Sequence, residues 1–271
     1  RVDGIAYDLA EEIKLEKNKK HNIEIKPIHF GKSGSSYTID KENNAIYKGI
    51  SSIKYCNVQI ADELLELSKN KYETFTDLLK DIREKTSLNS RQLNILTGLN
   101  FFSEFGNNKY LLDVIEVYDK FATSKIIAKK KMEELGVTEF LMTKYAGKET
   151  KSQYREIDNQ GLIKELCSRL PNESMGVVEQ IKFEMEFLEY TTYVNPDFAD
   201  YYYAVLNFKT FSDPTKPHFT LRNIKTGDER ESEIINRISL RINNEIKRRF
   251  GTDDFILSIM SQYTPMGDMP S

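Results

Sequence analysis

No window of the chain approaches the ~20 consecutive apolar residues that a membrane-spanning helix needs, so no membrane partner is expected. Cysteine is scarce. Cys56 and Cys167 stand far apart with no C-x-x-C spacing, which excludes a disulfide framework or a cysteine-built zinc site and fits a reducing cytoplasm. The three histidines, His21, His29 and His218, show neither HxH nor HExxH spacing, so a histidine metal cluster is not expected. Metal-assisted nucleotidyl transfer needs convergent carboxylates, and no Asp-x-Asp occurs. The nearest substitutes are Asp253-Asp254, whose side chains diverge in a strand, and Glu184 with Glu186, which face different ways on a helix. The run Gly31-Lys32-Ser33-Gly34-Ser35-Ser36 lacks the G-x-x-x-x-G-K-[ST] frame of a phosphate loop and reads as a turn. With no convergent acid, base or nucleophile set, a stand-alone hydrolase is excluded.

The 271 residues are 39% hydrophobic, 30% charged and 11% aromatic, the balance of a folded chain with room for more than one domain. Net charge is −3, so any nucleic-acid site must come from local basic patches. The chain begins Arg1-Val2-Asp3-Gly4, without an initiator methionine or a signal pattern, and is expected to be an interior piece of a longer protein.

Periodicity divides the chain. Ile5, Leu9 and Ile13 predict an amphipathic helix over 3–20, and three short strands follow at 23–28, 37–39 and 45–47. Four helices then carry Ile60/Leu64/Leu67, Phe75/Leu78/Leu79/Ile82, Leu93/Ile95/Leu96 and Leu111/Leu112/Ile115/Tyr118. Thr74, Thr76, Asn89 and Ser90 are candidate N-caps. The charged run 125–134 and the stretch 144–154 read as a connector, with helices resuming at 159–169 and 177–189. After Pro196 the period changes to two: 203–210 and 218–224 predict a β-hairpin with a turn at Lys225-Thr226-Gly227-Asp228, and 255–260 a last strand. Residues 234–246 fit a helix or a strand, and the tail 264–271 is expected to be disordered.

The stretch Gly49–Ala61 has the layout of a helix-hairpin-helix, a short helix, a tight hairpin and a second helix whose free N–H groups face a phosphate. Such a motif grips DNA backbone without reading bases. Lys54 and Asn57 are its candidate contacts, and a purely structural helical turn is the alternative.

Several patches occur in a telling order: Ile25-Lys26-Pro27-Ile28-His29-Phe30, Ile46-Tyr47-Lys48-Gly49-Ile50-Ser51-Ser52-Ile53-Lys54, Phe75-Thr76-Asp77-Leu78-Leu79, Leu93–Gly106, and Glu184–Tyr190 with Asn195-Pro196. The order resembles that of the C-family bacterial replicative polymerases, the DNA polymerase III alpha subunits, over roughly residues 20 to 230. Tyr55-Cys56-Asn57 stands where that family has a glycine-bearing hairpin, Glu189 where it has glycine, and Asn195 where it has histidine. The resemblance implies a palm with catalytic aspartates N-terminal to Arg1, so this chain carries no catalytic residue and no cofactor of its own, magnesium belonging to the absent palm. It also implies an OB-fold near the C-terminus and, as partners, template or primer-template DNA, a sliding clamp and other replisome subunits. Neither Gln153 nor Gln160 has the hydrophobic pair of a clamp motif.

In an OB-like domain, aromatic and basic side chains on one sheet face stack bases and track phosphates. Tyr203, Lys209, His218, Arg222 and Lys225 are the candidates, with tyrosines packed on the barrel rim as the alternative. Lys125, Lys129, Lys130 and Lys131 are candidate phosphate contacts, the alternative being a solvated helix face.

The expected fold is α+β: a strand module with a helix-hairpin-helix bundle over 1–123, a helical connector over 124–199, and a partial OB-like β domain over 200–271. The expected function is the noncatalytic, DNA-holding portion of a cytoplasmic replicative polymerase. A protein-interaction scaffold that touches a replisome partner and no DNA is the alternative, favoured by the net acidity.

Overall fold

A computed structural model describes residues 23–134, 137–198, 202–209, 218–233 and 258–260. The helix expected over 3–20, the ambiguous 234–246 segment and the tail 264–271 lie outside the described residues. The chain divides into two compact units, Arg1–Met175 and Gly176–Ser271, a border that falls inside the segment read from sequence as one connector. Among the described residues the fold is mixed α and β, with eight α-helices and three small sheets.

The first unit opens with β1 (Glu24–Lys26), β2 (Thr38–Asp40) and β3 (Ala45–Tyr47). β3 lies in the middle, parallel to β1 and antiparallel to β2. A single 3₁₀ turn at Ile50–Ser52 leads through the hairpin to α1 (Val58–Leu67). α2 (Phe75–Lys85), α3 (Ser90–Gly98) and α4 (Asn108–Phe121) complete the bundle. The apolar stripes read from the sequence are the ones buried: Ile60, Leu64 and Leu67 on α1, Leu78, Leu79 and Ile82 on α2, Leu93 and Leu96 on α3. Helix starts follow cap chemistry. Thr74 Oγ1 accepts from Asp77 N–H, and Asn89 forms a reciprocal box with Gln92. Thr76 and Ser90, the other two candidate caps, fall inside the first turns.

Five phenylalanines join the strand module to the bundle. Phe30 packs on Phe101, Phe102 and Phe105 at centroid separations of 5.9, 5.6 and 6.3 Å, and Phe75 packs on Phe102 at 5.4 Å. Phe30 N–H also donates to Phe101 C=O (2.8 Å). Fully burying one such ring is worth about 1.5–3 kcal/mol, so the cluster ties residues far apart in sequence into one core.

The stretch expected as a helical connector holds a sheet of its own. After β4 (Ile126–Ala128) come α5 (Lys129–Glu134) and α6 (Glu139–Tyr145), then a hairpin of β5 (Ala146–Glu149) and β6 (Gln153–Ile157), then α7 (Asn159–Ser168). β6 is central and antiparallel to both neighbours. Only Ile127, Tyr154 and Ile157 of these strands are buried. Such a thin apolar face, broken by the left-handed Glu156 (φ 56°), leaves little alternation to read in the sequence.

The second unit contains α8 (Val177–Leu188), β7 (Tyr202–Lys209), β8 (His218–Asn223), β9 (Glu229–Glu233) and β10 (Ser258–Met260). The four strands form an antiparallel sheet in the order β10-β7-β8-β9, with an irregularity between Val205 and Asn207. Its core gathers Ile181, Ala204 and Ile224, with Val177, Met185 and Tyr193 packed around them. The buried Glu184 carboxylate accepts from Gln180 Nε2 (3.0 Å), Thr191 Oγ1 (2.7 Å) and Thr192 N–H (2.8 Å), fixing the chain after α8. The β8–β9 turn takes its predicted place, with Gly227 at φ 78° and Asn223 Oδ1 accepting from Lys225 and Thr226 N–H.

Candidate nucleic-acid interface

The hairpin is braced from below. The backbone of Ser35–Ser36 passes so close to Gly49 that a Cβ there would stand 2.5 Å from Ser36. Ile50 and Ser51 N–H donate to the carbonyls of Gly34 (3.0 Å) and Ser35 (3.1 Å). The serine-glycine loop is therefore a structural buttress, and its Ser33 is buried with Oγ accepting from His29 N–H (3.0 Å).

From that base Cys56 N–H closes a turn onto Ile53 C=O (3.1 Å), and Tyr55 takes the left-handed conformation at φ 70°. Asn57 Oδ1 caps α1 by accepting from Ile60 N–H (3.0 Å). The N-terminus of α3 is held against the same hairpin. Gln92 Oε1 accepts from Asn89 N–H (3.0 Å), while its Nε2 donates to Tyr55 C=O (2.8 Å). The guanidinium of Arg91 stacks 3.6 Å from the Tyr55 ring centroid, and that ring is 53% exposed. Exposed Lys54 and Val58 flank it.

Two helix N-termini thus meet beside a stacked cation. Neither first turn contains an acid. Glu63, one turn into α1, has its carboxylate occupied by Ser87 N–H (2.7 Å), Ser87 Oγ (2.8 Å) and Gln59 Nε2 (2.8 Å), bonds that hold it below the usual carboxylate range. Burial pushes the Cys56 thiol up to about 11, away from the thiolate that a nucleophile needs. The arrangement suits an anion. A separate cleft of about 340 Å³, between Phe30, Lys71, Glu104 and Phe105, contains no hairpin residue. Among the described residues no three His, Cys, Asp or Glu side chains group as a metal site requires.

The structure distributes the sequence-predicted residues unevenly. Lys54 and Asn57 share the hairpin, with the Asn57 side chain spent on its cap. Lys129 pairs with Glu149, has Glu139 at 3.9 Å and lies over the Tyr154 ring at 5.2 Å, whereas Lys130 is exposed. In the second unit the register sets Tyr203 opposite Asn223 and Arg222 opposite Ala204, so Tyr203 and Arg222 belong to opposite faces of the sheet. Arg222 is mostly buried and donates to Glu229 (2.9 Å), Lys225 is half-buried in the turn, and Lys209 pairs in register with His218. Sequence reasoning passed over Arg91 and Gln92. The Asn89-x-x-Gln92 capping pattern signals that helix start, but nothing local says that Gln92 meets a hairpin 37 residues earlier.

Residues 22–112 match the helix-hairpin-helix motif family, a span that contains the hairpin and α1 to α3. The motif points to nucleic acid as a partner. Comparison of the chain with curated proteins finds no match. Among the described residues no helix is long and apolar enough to cross a membrane.

Proposed function

We propose that the chain holds DNA by its sugar-phosphate backbone, as the noncatalytic portion of a cytoplasmic C-family replicative polymerase whose palm and magnesium lie outside this chain. One observation carries the reading: within the helix-hairpin-helix match, the Tyr55 hairpin sets the acid-free first turns of α1 and α3 beside Lys54 and Arg91. Donors of this kind contact phosphate and carry no base information, so the hold is independent of sequence. The polymerase assignment is supported by the order of motif patches from Ile25 to Pro196, and the same order makes a sliding clamp and other replisome subunits its protein partners. The C-terminal antiparallel sheet is read on that basis as OB-like.

Titrating the full chain into labelled primer-template duplexes of two unrelated sequences, at 50 and 200 mM salt, tests the hold. Equal affinity for both duplexes and a steep salt dependence are expected, and Lys54→Ala and Arg91→Ala should each lower the salt slope by about 0.9. Absence of binding at low salt hands the protein to the scaffold reading, which the net charge of −3 favours. The chain with primed DNA, magnesium and nucleotides should give no extension, and synthesis would overturn the assignment of catalysis to another segment.

A further inference from the structure

The β4–β6–β5 sheet presents a face that its own charges do not balance. The register places Lys148 directly opposite Arg155, and Arg155 directly opposite Ile126, making one row across three strands. All three are exposed, Ile126 at 54%. In the next row Ala128 is opposite Gln153, and Gln153 Oε1 accepts from Arg155 (3.3 Å). The opposite face is spoken for: Ile127 and Tyr154 are buried, and Glu149 is taken by Lys129. Glu156, in the left-handed conformation, stands against Gly147. Among the described residues no carboxylate is ion-paired with Lys148 or Arg155, while exposed Lys151 sits in the turn that joins their strands.

Like charges directly opposite across a ladder destabilise it, and a carboxylate at either position would have removed the conflict. Strands spaced ~4.8 Å apart bring both cation heads within reach of one phosphate or of neighbouring phosphates. We infer that this solvent face is a second nucleic-acid contact, on which Lys148 and Arg155 neutralise the phosphates of a single strand while Ile126 and Ala128 provide an apolar floor beside them. Charge complementarity selects a polyanion. Given the DNA-holding reading, on which this inference rests, nucleic acid is favoured over an acidic peptide.

The test uses the full chain, a labelled oligothymidylate at 50 and 200 mM salt, and a thermal melt of each variant. Lys148→Glu should raise the melting temperature, by converting a like-charge pair into an opposite-charge pair, and should weaken oligothymidylate binding several-fold. Arg155→Ala should weaken binding and lower the salt slope by about 0.7. A Lys148→Glu protein that melts higher and binds equally well overturns the inference, as does one that melts no higher. Loss of binding in Lys54→Ala and Arg91→Ala alone overturns this face and leaves the hairpin standing, whereas loss in the sheet variants alone does the reverse. If a polyglutamate peptide competes with the oligonucleotide at equal charge concentration, the occupant is an acidic peptide and the nucleic-acid assignment falls.

Discussion

Replacing Tyr55 by alanine and by glycine separates two opposing effects that the native residue combines. At φ 70° any side chain with a Cβ costs about 1–2 kcal/mol relative to glycine. Against this, the Arg91 guanidinium 3.6 Å from the ring centroid returns about 0.5–1 kcal/mol, as a half-exposed cation–π pair does. Tyr55→Ala keeps the strained backbone and loses the stack, so it should be about 0.5–1 kcal/mol less stable than the native chain. Tyr55→Gly loses the stack, sheds the strain and gives back about 0.4–1 kcal/mol through the freer unfolded chain. It should therefore unfold within about 1 kcal/mol of the native protein and above the alanine variant. Arg91→Ala should cost about 0.5–1 kcal/mol in the native background and almost nothing in Tyr55→Ala, a coupling that a double-mutant cycle isolates. Urea unfolding at constant slope reads all four proteins. An alanine variant as stable as the glycine one refutes the left-handed assignment, and additive costs for Tyr55 and Arg91 refute the stack.

Asn57→Ala removes the α1 cap and should lower stability by about 1 kcal/mol in the same urea assay. Phe102→Ala, at the centre of the aromatic cluster, should lower it by about 3–5 kcal/mol, and a smaller loss would show that the strand module is not locked to the bundle. Glu189 ends α8 in the left-handed region at φ 68° and is exposed, so Glu189→Gly should raise stability by about 1 kcal/mol, checked by thermal melting. Glu165 accepts from Arg169 (2.6 Å), Lys144 (3.1 Å) and Tyr145 (3.1 Å), and these bonds, Arg169 first, depress its carboxyl from 4.5 to about 2. A depressed folded value stabilises above the unfolded one. The Glu165→Gln melting deficit should therefore be full above about pH 5 and fade as pH falls from 4.5 toward 2.

The first unit was legible where a single helix turn or strand carries its own signal. The Gly49–Ala61 layout, the caps Thr74 and Asn89, and the stripes of α1 to α4 are local patterns, and the structure realises them. In the second unit the 203–210 and 218–224 alternations became β7 and β8, and the turn at Gly227 fell where composition put it. What stayed hidden depends on partners distant in sequence. Lys129 reads as one cation in a basic run until Glu149, 20 residues later, is folded against it. Lys148 and Arg155 read as a charged connector, because β5 and β6 set Lys148, Gln153 and Arg155 on the open face and show no apolar period. Arg222 illustrates the same limit, since only the ladder reveals that its strand neighbour is the buried Ala204 and that Tyr203 belongs to the other face.

Tyr55 in the hairpin, where a glycine would leave the backbone open, sets how phosphate is approached on the DNA-holding reading. A glycine at this position lets backbone N–H groups come up against the phosphate, since no Cβ intervenes. Tyr55 places an aromatic ring there and uses it to fix the Arg91 guanidinium, whose fork of donors suits phosphate oxygens. The hold then shifts from neutral backbone donors toward a formal charge, supported by the α1 and α3 N-termini. Charge-based contacts release counterions and so weaken with salt, whereas backbone hydrogen bonds do so far less. A hairpin built this way trades close backbone fit for a salt-sensitive grip, and Tyr55→Gly with Arg91 retained reverses the trade: affinity near native at low salt, with a shallower decline toward 200 mM.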